Sequence, residues 1–246
     1  MDLKRQQLAL ADEALREVER LAGEDVAQWN KCFIPAFSSF NCSVFRRHSD
    51  NWDGPVFRVE VKVKGNLDRV YDMLHPDINY YKHLWDPNVG VNQMLEELAH
   101  DTIKIHHITK PILRGLLAPR ESYIVFKLAE KQNYKVIGGQ SFDPTHDETC
   151  AEHLKASKKR NDIADAWHYP FGVLLRPTSE PELTHVSMIF QLDLKGKMIR
   201  LVADRSMGMG LSEWATALQT THKLDYKPLT DVPGKRRTPF SVLDSH

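Results

Sequence analysis

The chain has 246 residues, 41% of them apolar, which suits one large domain or two small ones with a real core and excludes a disordered chain. Lysine plus arginine and aspartate plus glutamate number 33 each, so the net charge of +0 argues against a wholly basic nucleic-acid-binding surface. The three cysteines, Cys32, Cys42 and Cys150, lack metal-ligand spacing and read as reduced thiols of a cytosolic protein.

In chain order, Leu8, Ala11, Leu15, Val18 and Ala22 recur at three-four spacing and predict an amphipathic helix within 1–29, packed on its own domain. It has too few heptads for a partner-binding coiled coil. The first residues lack the apolar centre of a signal peptide. No run anywhere approaches the roughly 18 apolar residues of a membrane span. The expectation is a soluble, cytoplasmic protein with peripheral membrane contact.

Phe57, Val59, Val61 and Val63 alternate with Arg58, Glu60 and Lys62, the pattern of a half-buried strand. Gly65-Asn66 ends it, and Asn66 is placed to cap a short helix, LDRVYDML, that stops near His75-Pro76. A second short helical stretch leads into Trp85-Asp86-Pro87-Asn88. Strand-like runs follow: VNQMLEEL, TIKIHHIT, SYIVFKLA, YKVIGGQSF, FGVLLRP and THVSMIFQLDL. Short turn signals such as Glu130-Lys131-Gln132-Asn133 separate most of them, so the expected sheet is antiparallel. Gly196 closes the series, and a helix is predicted from about Met198 to Thr221. The absence of strand–helix–strand alternation argues against a doubly wound nucleotide-binding fold. Residues 151–162 read as a polar, basic insertion and residues 223–246 as a tail.

His106 and His107 are adjacent in a strand, so they point to opposite faces and cannot form one metal site or one acid/base pair. No nucleophile elbow, metalloprotease, CxxC or phosphate-loop motif is present. Gly138-Gly139 suggests a bulge, and Glu96-Glu97 and Asp147-Glu148 suggest solvated surface. No catalytic residue, metal site or cofactor is expected. The runs Lys158-Lys159-Arg160 and Lys235-Arg236-Arg237 read as solvated loops, or as contacts with an anionic membrane at about 1 kcal/mol per basic residue. Aromatics do not interleave with them, which argues against a nucleic-acid partner.

The last helix carries the stretch SMGMGLSEW. At 100° per residue, Ile199, Ala203, Met207, Gly210, Trp214 and Leu218 share one stripe. Gly210 lies on the stripe, where it leaves space. Gly208 lies nearly opposite, where packing is not expected to require it. The two cost about 2 kcal/mol of helix propensity relative to alanine. A curved antiparallel sheet closed by such a helix can enclose an apolar cavity.

Four stretches, in this order, resemble the START family of steroidogenic-acute-regulatory-related lipid-transfer domains. They are Leu84-Trp85-Asp86-Pro87-Asn88-Val89, Pro119-Arg120-Glu121, Pro170 to Pro177 (PFGVLLRP) and Leu192-Asp193-Leu194-Lys195-Gly196. The resemblance covers roughly residues 30–222. It implies an α+β helix-grip fold, in which the sheet wraps around the C-terminal helix and one lipid sits between them, carried without chemistry. It also implies a gate formed by the last helix and the loop 111–118, with Leu116, Leu117 and Gly208 as gate residues.

For the ligand, the acidic residue and arginine of cholesterol-carrying members are matched here by His107 and Phe126. The aromatic cage of phosphatidylcholine carriers is matched by Ile105 and Ser122, and the phosphate-binding cation by Lys82. With Trp85, Met207, Gly210 and Trp214, these are the lipid-site residues that the resemblance and the helix stripe suggest. Neither head-group device is intact, so a largely apolar ligand is favoured: sterol, carotenoid, fatty acid or diacyl phospholipid. Two alternatives stay open, an enzyme of the cyclase or hydrolase type on the same scaffold, with His107 as base, and a lipid-responsive sensor or scaffold.

Overall fold

The computed structural model describes residues 2–33, 41–76, 81–111, 115, 117–157, 162–195 and 200–228, with side chains of 200–205 excepted. The elements in chain order are α1 (Leu3–Gly23), β1 (Asn30–Lys31), β2 (Cys42–His48), β3 (Pro55–Lys64), α2 (Leu67–Leu74), α3 (Lys82–Trp85), β4 (Val89–Ala99), β5 (Thr102–Thr109), β6 (Arg120–Lys131) and β7 (Tyr134–Ser141). Then come α4 (Ala151–Ser157), β8 (Ala164–Asp165), β9 (Trp167–His168), β10 (Phe171–Pro177), β11 (Leu183–Phe190), β12 (Leu192–Asp193) and α5 (Arg200–Gln219).

The main sheet runs in the order β1-β2-β3-β11-β10-β7-β6-β5-β4, antiparallel between neighbours, with β8 added parallel to β6. The six predicted runs from VNQMLEEL to THVSMIFQLDL all supply strands of it, although the last run breaks after Phe190 and its Leu192–Asp193 end, β12, pairs with β9 in a separate two-stranded sheet. The signals that start and stop them act as expected. Asn66 Oδ1 accepts from the Arg69 N–H at 2.9 Å and caps α2. Short turns join β4 to β5 and β6 to β7, as antiparallel pairing requires.

Strand alternation gives the sheet two buried faces. One carries Val59, Val61, Ile103, Ile105, Ile124 and Phe126 against α2, α3 and α5. The other carries Val56, Ala129, Val136 and Leu174 beneath Leu15, Val18 and Leu21 of α1. The α1 stripe therefore packs on its own domain, and it sits very close to the sheet. A Cβ at Gly138 would lie 2.5 Å from the Leu15 Cα, so only glycine admits the helix backbone there.

That contact corrects the expectation of a bulge at Gly138-Gly139. The ladder is regular across both residues, pairing Lys127 with Gly138 and Phe126 with Gly139. Alternation turns the two glycines to opposite faces. Gly138 makes room for α1, and a Cβ at Gly139 would lie 2.5 Å from the Phe126 ring on the inner face. Register shifts occur instead in β4, between Val89 and Val91 and at two further points along the strand.

A second correction concerns Asp147, which is buried rather than solvated. Its Oδ2 accepts from Gln7 Nε2 and from Lys104 Nζ, each at 2.7 Å, so it ties α1 to the sheet. Lys104 also pairs with Glu96 at 2.6 Å. The insertion at 151–162 begins with a helix, α4, that its polar composition did not suggest; Lys158-Lys159-Arg160 lie outside the described residues, as does Lys235-Arg236-Arg237. Cys32, Cys42 and Cys150 form no disulfide with one another, and Cys150 is buried. Among the described residues no helix is long and apolar enough to cross a membrane.

The far end of α5 is firmly held. Leu218 and Ala215 are fully buried, and Gln219 Nε2 donates to the Asn41 and Lys62 carbonyls. Past the helix, the Arg69 guanidinium donates to the Thr221 and Leu224 carbonyls, and the Tyr226 hydroxyl donates to Asp72 at 2.7 Å.

Candidate functional site

Between the inner face of the sheet and the near half of α5 lies a cavity of about 200 Å³. Its apolar wall comes from inward residues of the sheet: Ile124 and Phe126 of β6, Phe171 of β10, Met188 and Phe190 of β11. Helix α5 closes it with Met207, Gly210, Leu211 and Trp214, spaced three and four apart on one face. Nothing lies within 4 Å of a Cβ placed on Gly210, so the missing side chain there is cavity space.

One end of the cavity is polar. Lys82 enters it from α3, and Asp86 follows one turn later. Burial lowers the Lys82 ammonium pKa, and the nearby Asp86 carboxylate works against that shift. Burial also pushes the Asp86 carboxyl up, while Lys82, the Asn88 N–H and Trp214 hold it down. His107 projects from β5, and burial together with the positive charge of Lys82 puts its pKa well below the ordinary value. His168, from β9, is depressed to about 3 by the same two causes. Both imidazoles are therefore neutral at pH 7. His168 packs on Phe171, with ring centroids 4.5 Å apart, and its buried Nδ1 has no hydrogen-bond partner among the described residues.

The rim is pinned by Arg120. Its guanidinium donates to the Ala118 carbonyl at 2.8 Å and to the Leu194 carbonyl at 3.1 Å. One buried side chain thus joins the loop before β6 to the segment that leads toward α5. Leu117 lines the cavity from that loop, whereas Leu116 lies outside the described residues.

A family model described as the START domain matches residues 9–223. The chain belongs to the START family. The mouse mitochondrial steroidogenic acute regulatory protein is 24% identical over 180 residues, covering 73% of this chain and 59% of that protein. This START chain thus spans well under two thirds of that relative's length. Mouse StAR-related lipid transfer protein 5 is 24% identical over 208 residues, covering 84% of this chain and 92% of the relative. Among solved structures, human StAR-related lipid transfer protein 5 superposes with a TM-score of 0.75 at 18% identity, covering 90% of this chain and 98% of its own. A STAR-related lipid transfer protein fragment from Xanthomonas axonopodis gives 0.59 at 14% identity, covering 80% and 99%. These likenesses are to the START fold: a curved antiparallel sheet gripping a C-terminal helix.

Within this START cavity the structure gathers Lys82, His107, Phe126, Met207, Gly210 and Trp214. It leaves three suggested residues off the wall. Ile105 faces inward but is fully buried in the core beyond the cavity. The Ser122 hydroxyl donates to the Ala166 carbonyl at 3.1 Å, tying β6 to the segment after β8. The Trp85 indole donates to the Met73 carbonyl at 2.9 Å and its ring buttresses Trp214, centroids 5.7 Å apart.

Gly208 is buried, yet packing does not require a glycine there: a Cβ would meet the Cys32 Cβ at 3.6 Å, an ordinary contact. Sequence reasoning missed Asp86, Asn92 and His168. Asp86 was legible as the acid one helical turn after Lys82, and Asn92 as the cross-strand partner of His107. His168 sits in a two-residue strand, too short for alternation to show which way it points.

Proposed function

We propose that this protein is a non-enzymatic lipid-binding and lipid-transfer protein that holds one lipid in the cavity beneath α5. The observation that carries the proposal is the cavity itself, apolar on its strand and helix walls and polar at one end, where neutral His107 and His168 face Lys82. Such a site suits a molecule with an apolar body and a small polar head. Relatives named for lipid transfer, at 24% identity over most of the chain, support the same reading.

The cavity is small. At about 200 Å³ it lies below the ~300–1,000 Å³ of typical ligand sites, which favours a single-chain or compact lipid over a two-chain phospholipid. An enzymatic reading draws less support, because the one histidine aligned for a base, His107, is held at a pKa where it is a weak one.

Loading requires the gate to move. The far end of α5 is anchored through Leu218, Gln219 and the Arg69 clamp, so opening is assigned to the near half, around Gly208 and Gly210, together with Leu116 and Leu117 of the loop. Two exposed apolar side chains, Met209 on α5 and Leu84 on α3, suit transient contact with a membrane. The lipid-binding unit is taken as residues 30–222 with α1 packed upon it, and residues 223–246 as a tail. The protein is taken to act in the cytoplasm.

The test is transfer of a fluorescent single-chain lipid between donor and acceptor liposomes. Catalytic amounts of protein accelerate transfer if the proposal holds. Stoichiometric binding without transfer favours a sensor, and neither binding nor transfer overturns the proposal.

A further inference from the structure

The polar end of the cavity contains a relay that fixes which hydrogen-bonding group faces the ligand. Asn92 of β4 lies directly across the ladder from His107 of β5. The Asn92 side-chain amide donates through Nδ2 to the Pro76 carbonyl at 2.6 Å, so its Oδ1 is an acceptor. That oxygen faces His107 Nδ1 at 3.2 Å, and an acceptor there requires Nδ1 to carry the proton. His107 is neutral, as its depressed pKa requires, so its other nitrogen, Nε2, carries a lone pair. Nε2 has no hydrogen-bond partner among the described residues, and His107 lines the cavity.

We propose that the Pro76–Asn92–His107 relay makes the cavity selective for lipids whose head group donates a hydrogen bond, that is, lipid alcohols. The proposal rests on reading the cavity as a lipid site. A hydroxyl is the matching group, because it donates to Nε2 while its own oxygen accepts from a donor such as the Lys82 ammonium on the same wall. An ether or ketone oxygen has no proton to give and sets lone pair against lone pair. A carboxylate also has no proton for Nε2, so it pairs with the Lys82 ammonium but leaves that acceptor unmet. His168, on the same wall, has a buried Nδ1 with no hydrogen-bond partner among the described residues. A site that leaves one buried acceptor unmet rejects the wrong head group by on the order of 10–100-fold.

Two measurements test this. The first is the ¹⁵N spectrum of the ligand-free protein labelled in its histidines. A His107 ring protonated on Nδ1 alone is expected, and a ring protonated on Nε2 overturns the proposal. The second compares 1-hexadecanol with its methyl ether, which differ in the hydroxyl proton. The alcohol is expected to bind on the order of 10-fold tighter or more. In the Asn92→Leu variant, His107 is released to take either tautomer, and the preference is expected to shrink while both probes still bind. Equal binding of the two probes to the native protein leaves a lipid cavity but overturns the selectivity. Binding of neither overturns the lipid reading and the selectivity with it. A variant that keeps the full preference removes the relay as its cause.

Discussion

Gly210 offers the sharpest test of the link between the helix and the cavity. A side chain there meets no atom within 4 Å and projects into a space of about 200 Å³. Replacing Gly210 by alanine should stabilise the fold by about 1 kcal/mol, through helix propensity alone. For a chain of this length that is a rise of about 2–4 °C in Tm. Replacing it by leucine should keep most of that gain while placing four carbons where ligand would sit. If each displaced ligand methylene forfeits about 0.8 kcal/mol, the loss is about 3 kcal/mol, or on the order of 100-fold in Kd. Fluorescent-lipid titration read beside thermal melts separates the two effects. The Gly210→Leu variant should be as stable as the native protein or more so, yet nearly unable to bind. Native affinity in a stable Gly210→Leu protein would refute the assignment of this cavity as the ligand site. A large loss of stability would refute the claim that Gly210 faces open space.

Other predictions follow from the same geometry. Gly208→Ala places a Cβ in ordinary contact with Cys32, so it should stabilise by up to about 1 kcal/mol and slow lipid exchange in a stopped-flow assay; unchanged exchange would remove Gly208 as a hinge. Asp147→Ala leaves the buried Lys104 ammonium with the partly exposed Glu96 carboxylate and the Thr149 hydroxyl and frees Gln7, and should cost about 3 kcal/mol by urea unfolding, against less than 1 kcal/mol if the site is solvated. For pH, His168 is neutral in the fold, with a pKa of about 3 against an ordinary 6.5, so the unfolded chain takes up the proton first. Stability is unaffected above pH 6.5 and falls as pH drops from there toward 3, by up to about 1.4 kcal/mol per unit from this residue. His168→Phe should flatten that slope in denaturation series at pH 7, 6 and 5, and an unchanged slope would contradict the assignment.

Much of the fold was legible because its strands are long enough to show a period. Val59, Val61 and Val63 alternate cleanly, and the runs around His107, Phe126 and Met188 are eight to twelve residues long. The strand at Cys42–His48 was missed because Phe45, Arg46 and Arg47 break the alternation; as a near-edge strand it buries only Val44. Two-residue strands such as β9 carry no period at all, which hid His168. On α5 the 100° rule found Met207, Gly210 and Trp214, since a helix face depends on local geometry alone. The same rule puts Gly208 off that stripe but does not say what a residue there touches. Its neighbour there is Cys32, which a strand brings from more than 170 positions away, and no local period reports such a contact. Ile105 and Ser122 show a related limit: alternation gives the correct face of the sheet, but whether an inward residue meets cavity or core depends on what packs opposite.

The central claim, one lipid held beneath α5, is tested most directly by native mass spectrometry of the purified protein after incubation with liposomes of mixed lipid composition. The account predicts a single adduct of lipid mass at one-to-one stoichiometry, absent from the Gly210→Leu variant. A native protein that stays empty, or a Gly210→Leu variant that carries the same adduct, would contradict it.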